Sequence, residues 1–209
     1  TSAEWLAHPH ARQSEMVIEL DDPRYGKMLQ PGINARMSAT PGAIRGPAPL
    51  LDADAAAVRA SLGEALPRPA IAGGATQPLR AALEGIKVLD LTIILAGPTC
   101  GRTLAEFGAD VIKIDPPYRG RTVAFHNTIN RRKRSILLDL KTEEGREVFW
   151  RLLEDADVVV QNFRKGKLEK LGLGYEDVRR RKPDVIYASM NAYGHIGPWA
   201  ERPGHEQLA

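Results

Sequence analysis

The stretch GIKVLDLT at residues 85–92, followed by AGP at 96–98 and GADVIKID at 108–115, decides the fold of this chain. The outer two segments are mostly apolar and of strand length, as in a parallel sheet that helices cover on both faces. The proline of AGP suits the first position of a helix, and the glycine that opens GADVIKID suits its end. We therefore predict a strand, a tight turn into a helix near 98–107, and a second strand, which is the first unit of a nucleotide-binding type of α/β fold.

The same alternation continues along the rest of the chain. Residues 135–140, 158–160 and 185–190 are predicted to form further strands, with helical patterns between them. The clearest helix follows Thr142, whose hydroxyl can cap it, and its apolar residues recur at spacings of three and four. Strands that alternate with helices in this way predict a doubly wound parallel sheet.

The first 66 residues have a different pattern, with short elements separated by prolines and glycines. The predicted elements are a helix, a hairpin of two strands and a second helix, at 3–12, at 16–20 with 27–30, and at about 53–66. Residues 67–82 are rich in proline and glycine and have no regular apolar period, so they are predicted to be a linker. The predicted organisation is therefore 1–66, a linker at 67–82, and an α/β region at 83–209.

Composition excludes several classes of protein. The 209 residues are 43% hydrophobic and 26% charged, which is typical of a globular chain. The net charge of +3 is too small to indicate a nucleic-acid partner. Cys100 is the single cysteine, so neither an internal disulfide nor a thiolate metal site is expected. No run is long enough to span a membrane and no secretion signal is recognised, so we expect a cytoplasmic protein.

Three predicted strand ends carry residues suited to a ligand. At 95–98, small residues allow close approach of the backbone and a helix N-terminus offers N–H groups, although a plain strand-to-helix turn has the same sequence. The cations of NRRKRS at 130–135 can hold phosphate, although such a run is usually a solvated loop. At 162–164, an amide can contact a base edge and Phe163 can stack on it. Together these ends indicate a phosphorylated, nucleotide-bearing ligand.

Residues 83–209 resemble the N-terminal part of the family III CoA transferases, the group of formyl-CoA transferase, carnitine CoA-transferase and the 2-methylacyl-CoA racemases. The matching stretches are LEGIKVLDLT, AGP, GADVIKID, NRRKRSILLDLK, ADVVVQNFRKGKLEKLGL, and YGHIGPW with RPGHE. Residues 1–66 resemble the C-terminal tail of the same family through EWLAHPHARQSEMVIEL and GPAPLLDADAAAVRASLG. The stretch that resembles the family's C-terminal tail precedes the stretch that resembles its N-terminal part. This order implies a piece that bridges two tandem modules of a longer polypeptide.

The resemblance implies a Rossmann-like, doubly wound large domain built from both ends of a family chain. A piece in which the C-terminal tail precedes the N-terminal part either rebuilds one permuted large domain that lacks the family's small domain, or leaves two half-domains that need missing partners. Family members form intertwined ring dimers. The resemblance therefore implies an intertwined homodimer, or a pseudo-dimer of two modules within one chain.

The resemblance also implies that coenzyme A or an acyl-CoA occupies the three strand ends, without a metal. The residues that it implies for this contact are Leu95 and Ala96 at the first end, Leu138, Asp139, Leu140 and Lys141 at the second, and Asn162, Phe163 and Arg164 at the third, with Lys170 nearby.

The activity implied by the resemblance is transfer of CoA between an acyl-CoA and a carboxylic acid. The family's nucleophile is an Asp that would lie beyond Ala209, so the resemblance implies that these residues do not include it. Racemases of the family use a His at the position of His205, which Glu206 follows here, so these two are the candidate catalytic residues. Two alternatives stay open: an acyl-CoA racemase or epimerase on the same scaffold, and a non-catalytic CoA-binding module.

Overall fold

The computed structural model describes residues 1–62, 80–118 and 126–204, and these residues divide into two compact units. The N-terminal unit contains 1–62 together with Ile196–Pro198, and the sheet unit contains the remaining described residues. The predicted linker falls mostly outside the described residues. The boundaries of the three predicted regions therefore stay predictions.

The N-terminal unit contains three short helices and a hairpin within its described residues. They are α1 Ser2–Ala7, α2 Pro9–Gln13, β1 Val17–Asp22, β2 Gly26–Pro31 and α3 Ala55–Ala60. The predicted hairpin is confirmed, since β1 and β2 pair antiparallel. The single helix predicted over 3–12 is wrong, because it breaks at His8, which has an extended backbone with ψ 134°. The cause is the proline that follows, since a residue before proline disfavours helical geometry.

The sheet unit has five parallel strands in the described part of the chain. They are β3 Lys87–Asp90, β4 Asp110–Asp115, β5 Arg134–Leu137, β6 Val158–Gln161 and β7 Ile186–Ser189. The strand order is β5-β4-β3-β6-β7, and every neighbouring pair is parallel. The connections contain α4 Ala96–Glu106, α5 His126–Ile129, α6 Glu143–Glu154, a 3-10 turn at Glu169–Leu171, and α7 Tyr175–Arg181. The predicted α/β class with a parallel sheet is confirmed.

Both faces of the sheet carry a core, as a doubly wound fold requires. On one face, Leu89 packs with Phe149 of α6 and Val178 of α7. On the other, Val88 and its sheet neighbours pack with Ala105 of α4. Alternate residues of β3 therefore point to opposite helical layers. None of the helices in the described ranges has the length and apolarity that a membrane crossing requires.

Two element boundaries near the strand ends differ from the prediction. Helix α4 begins at Ala96 rather than at Pro98. The proline still lies in the first turn, where its missing N–H costs no helical hydrogen bond. Strand β5 ends at Leu137 rather than at residue 140, because the chain then turns, with the Thr142 N–H bonded to the Asp139 carbonyl.

Candidate functional site

The carboxyl ends of four neighbouring strands, β3 to β6, border a cavity of about 340 Å³. Its walls are formed by the residues that follow these strands and by the segment around the 3-10 turn. They are Leu91, Ile93, Ile114, Asp115, Pro116, Tyr118, Leu138, Leu140, Lys141, Phe163, Lys167, Leu168, Lys170 and Leu171. Strand β3 is the first of the unit in chain order but lies between β4 and β6 in the sheet. The later strands are therefore added on one side of β3 and then on the other, so the strand order reverses beside β3. In open α/β sheets this edge, near such a reversal, is where ligands bind.

The cavity combines apolar walls with a cationic rim. Lys141, Lys167 and Lys170 line it and are exposed. Within the described residues, no carboxylate lies within ion-pair distance of any of the three ammonium groups. Two aromatic rings, Tyr118 and Phe163, complete the lining. Such a site suits a ligand with an apolar or aromatic body and negative charge at its edge.

The structure brings half of the predicted contact residues together at this cavity. Those that line it are Leu138, Leu140, Lys141, Phe163 and Lys170. The predicted residues that are not in its lining are Leu95, Ala96, Asp139, Asn162 and Arg164. The candidate catalytic residues His205 and Glu206 lie outside the described residues.

Asn162 supports the cavity wall through the backbone of the loop that follows β3. Its Oδ1 accepts a hydrogen bond from Ile93 N at 2.7 Å, and its Nδ2 donates to Ile93 O at 2.7 Å. The next residue, Ile94, has a φ of +73°, which is unfavourable for a β-branched side chain and costs on the order of 1–3 kcal/mol. The amide of Asn162 therefore clamps a strained loop beside the cavity.

The basic run 131–134, which follows α5, is largely ion-paired with carboxylates of the protein itself. Arg131 pairs with Glu106 at 2.6 Å, and Arg134 pairs with Asp110 through two bonds of 2.8 and 2.6 Å. The interpretation of the whole run as a phosphate cradle is therefore not supported. These pairs fasten the run to α4 and to the start of β4.

Lys133 of the same run is buried beneath the first turns of α4. Its Nζ donates to Asp90 Oδ2 at 2.7 Å, Pro98 O at 2.7 Å and Asn130 Oδ1 at 2.9 Å. Burial lowers the pKa of Lys133, and the attraction of Asp90 opposes that change. A Cβ on Gly101 would overlap the Asp90 carboxylate, so glycine is what allows α4 to lie this close to β3. The pair thus fixes the start of α4 over the end of β3.

A second polar network joins the ends of β6 and β7. Phe163 N donates to Gln161 Oε1 at 2.7 Å, and Gln161 Nε2 donates to Ser189 Oγ at 2.6 Å. Ser189 Oγ lies 3.0 Å from His195 Nε2, and Asn191 Nδ2 lies 2.8 Å from the same nitrogen. Because Ser189 Oγ already accepts from Gln161, its own proton is available to donate to the imidazole. An imidazole nitrogen with two donors must accept, so this arrangement favours the neutral ring.

The environment of His195 agrees with the neutral form. Partial burial of the imidazole and, secondly, the nearby Lys165 ammonium lower the pKa of His195, while Glu169 acts in the opposite direction. This network connects a titratable side chain to Phe163 in the cavity wall.

Sequence reasoning did not identify Tyr118, Lys167 and Ile93 as parts of the cavity. Lys167 and Lys170 in KGKLEK are three residues apart, about one helical turn. This spacing indicates two cations on the same side of that segment. No local pattern indicated Tyr118, because its place in the wall depends on how β4 lies beside β5. In the ranges 1–62, 80–118 and 126–204, no group of three or more His, Cys, Asp or Glu side chains is arranged to hold a metal ion.

Comparison with known proteins gives a family match. The sequence model of CoA-transferase family III matches residues 1–55 and 83–209. A succinate–glutarate CoA-transferase of Agrobacterium fabrum is 40% identical over 144 residues, which are 60% of this chain and 36% of that protein. The human succinyl-CoA:glutarate CoA-transferase is 38% identical over 139 residues, which are 61% of this chain and 32% of that protein.

Solved structures give a similar result. The crystal structure of a CAIB/BAIF family protein from Brucella suis matches with a TM-score of 0.58 and 43% identity, covering 61% of this chain and 38% of that chain. The chain spans about a third of the length of the curated relatives it matches.

Proposed function

Because this chain belongs to CoA-transferase family III, we propose that the intact protein moves CoA between an acyl-CoA and a carboxylic acid. The observation that carries the proposal is the apolar cavity with three lysines at the carboxyl edge of the parallel sheet. Two curated relatives are named for transfer involving glutarate, which supports a carboxylic acid as the acceptor. In this proposal the cavity holds the 3′-phosphoadenosine end of CoA.

The chemistry of CoA fits both parts of the site. The adenine base is aromatic and apolar on its faces, so it suits a cavity whose walls are largely apolar and aromatic. The phosphates carry several negative charges, which the ammonium groups of Lys141, Lys167 and Lys170 can meet. Because these lysines are exposed, their contribution should weaken as salt is added.

Catalysis requires more than these residues in our proposal. The family resemblance implies a nucleophilic Asp that is not among residues 1–209, so we propose that these residues bind CoA without transferring it. His205 and Glu206 remain the candidate catalytic residues of this stretch. The proposed assembly is an intertwined dimer, or a pseudo-dimer of two tandem modules, in which residues 1–66 and 83–209 belong to successive modules.

Calorimetric titration of the 209-residue chain with CoA tests the proposal. We expect saturable binding, and we expect Lys170→Met to weaken it about tenfold, the effect of losing one charge-assisted contact of ~1.4 kcal/mol. The matched control is Lys87→Met, at the amino end of β3, on the opposite edge of the sheet; it should bind like the parent. Absence of binding by the parent, or equal losses in the two variants, would refute the proposed site.

A further inference from the structure

We infer that Tyr118 is the surface on which the purine base of the ligand stacks, and that Lys141 is held over this ring so that its ammonium meets a phosphate of the same ligand. The inference rests on the proposed function and adds to it a residue that determines specificity. It concerns the part of the wall that follows β4 and β5.

Tyr118 presents a largely exposed aromatic ring at the cavity. Tyr118 lines the cavity, and the residue is 59% exposed. Two prolines, Pro116 and Pro117, separate it from Asp115 at the end of β4, and each fixes a backbone angle. The prolines therefore restrain the backbone that leads from β4 to Tyr118.

The other aromatic residue of the wall is less available for stacking. Phe163 is half-buried and packs against the apolar core on the α6 side of the sheet. Tyr118 belongs to neither core cluster. A base that enters the cavity can therefore cover Tyr118 without displacing core contacts.

Lys141 supplies the second observation. Its Nζ lies 4.6 Å from the centroid of the Tyr118 ring, within the range of a cation–π contact. Tyr118 follows β4 and Lys141 follows β5, and these strands are hydrogen-bonded neighbours. The ammonium therefore lies over one face of the Tyr118 ring, so the inference assigns the purine base to the opposite face.

This pairing matches the chemistry of a nucleotide rather than that of a simple anion or an apolar compound. A purine nucleotide carries an aromatic face and phosphate oxygens within one small molecule. Bases stack on aromatic side chains because both have polarisable faces, and ammonium groups bind phosphate oxygens through charge-assisted hydrogen bonds. A ligand with only one of these groups uses only half of the pair.

The test compares two ligands, adenosine 3′,5′-bisphosphate and ribose 5-phosphate, which lacks the base. Tyr118→Leu should weaken the binding of the adenosine compound about tenfold, because it removes the stacking surface, and that of ribose 5-phosphate by no more than about twofold, because only the positioning of Lys141 is lost. Tyr118→Phe keeps the ring and should bind within about twofold of the parent. Tyr25→Leu, at an exposed tyrosine of the N-terminal unit, is the control and should bind like the parent. Affinities are measured by calorimetry or by NMR titration, with circular dichroism to check folding.

The outcomes separate this inference from the proposed function. If the parent chain binds CoA and Tyr118→Leu binds it equally well, the stacking role alone is overturned. Equal losses in Tyr118→Phe and Tyr118→Leu, or an equal loss for ribose 5-phosphate, would also overturn it. Failure of the parent to bind CoA would overturn the proposed function first, and the inference with it.

Discussion

Replacing Lys133 by Met should destabilise the sheet unit strongly, because it leaves a buried carboxylate without its counter-charge. The side chains of Lys133 and Asp90 are 1% and 0% exposed, with 2.7 Å between Nζ and Oδ2. The same ammonium also donates to Pro98 O and Asn130 Oδ1. The substitution therefore removes three hydrogen bonds as well as the positive charge.

The expected magnitude follows from burial. Removing one member of a buried ion pair costs about 3–5 kcal/mol. A matched exposed pair is Arg134 with Asp110, at 2.6 Å, whose side chains are 65% and 41% exposed. Because solvent screens this second pair, Arg134→Met should cost only about 0–1 kcal/mol. The double variant Asp90→Asn with Lys133→Met should be more stable than Lys133→Met alone, since it removes the unpaired charge.

Urea unfolding is the assay, followed by the fluorescence of Trp150. Trp150 packs against the core on the α6 side of the sheet, and replacing Trp5 and Trp199 by Phe leaves it as the reporter. A loss for Lys133→Met below about 1 kcal/mol, or no larger than that for Arg134→Met, would refute the reasoning from burial.

Two further predictions concern the polar networks at the strand ends. Because the pKa of His195 is lowered in the folded chain, the unfolded chain binds more protons near and below about pH 6.5, so stability should fall as the pH drops through this range. His195→Gln should flatten that dependence in urea unfolding between about pH 7.5 and about pH 5, and an unchanged slope would contradict the assignment. Asn162→Ala removes both bonds to the Ile93 backbone and should weaken CoA binding about fivefold in calorimetry, whereas parent-like affinity would show that the clamp does not shape the cavity.

The parallel sheet could be predicted from local sequence because its signals are local. The apolar runs at 86–92 and 158–160, and the glycine and proline that bound α4, each identify an element without knowledge of the rest. The place of Phe163 at the cavity followed from one rule, that residues after parallel strands meet at one edge, whereas Leu138 and Lys141 were implied by the family resemblance.

The contacts between individual side chains near that edge could not be predicted in the same way. All four residues at 131–134 are cationic, yet the side chain of Lys133 is buried against Asp90 while that of Arg134 lies at the surface with Asp110. This difference depends on carboxylates far away in the chain. Tyr118 has no periodic pattern around it, and its contact with Lys141 exists only because β4 pairs with β5. The structure was needed for these residues because their roles depend on non-local packing.

An NMR titration of the ¹⁵N-labelled chain with adenosine 3′,5′-bisphosphate tests the central claim most directly. We predict saturable shifts in the amides of the residues that follow β3 to β6, including those at 91–93, 138–141 and 163–171, which border the cavity. Shifts confined to the N-terminal unit, or to the amino ends of the strands near Lys87, would contradict a nucleotide site at the carboxyl edge of the sheet.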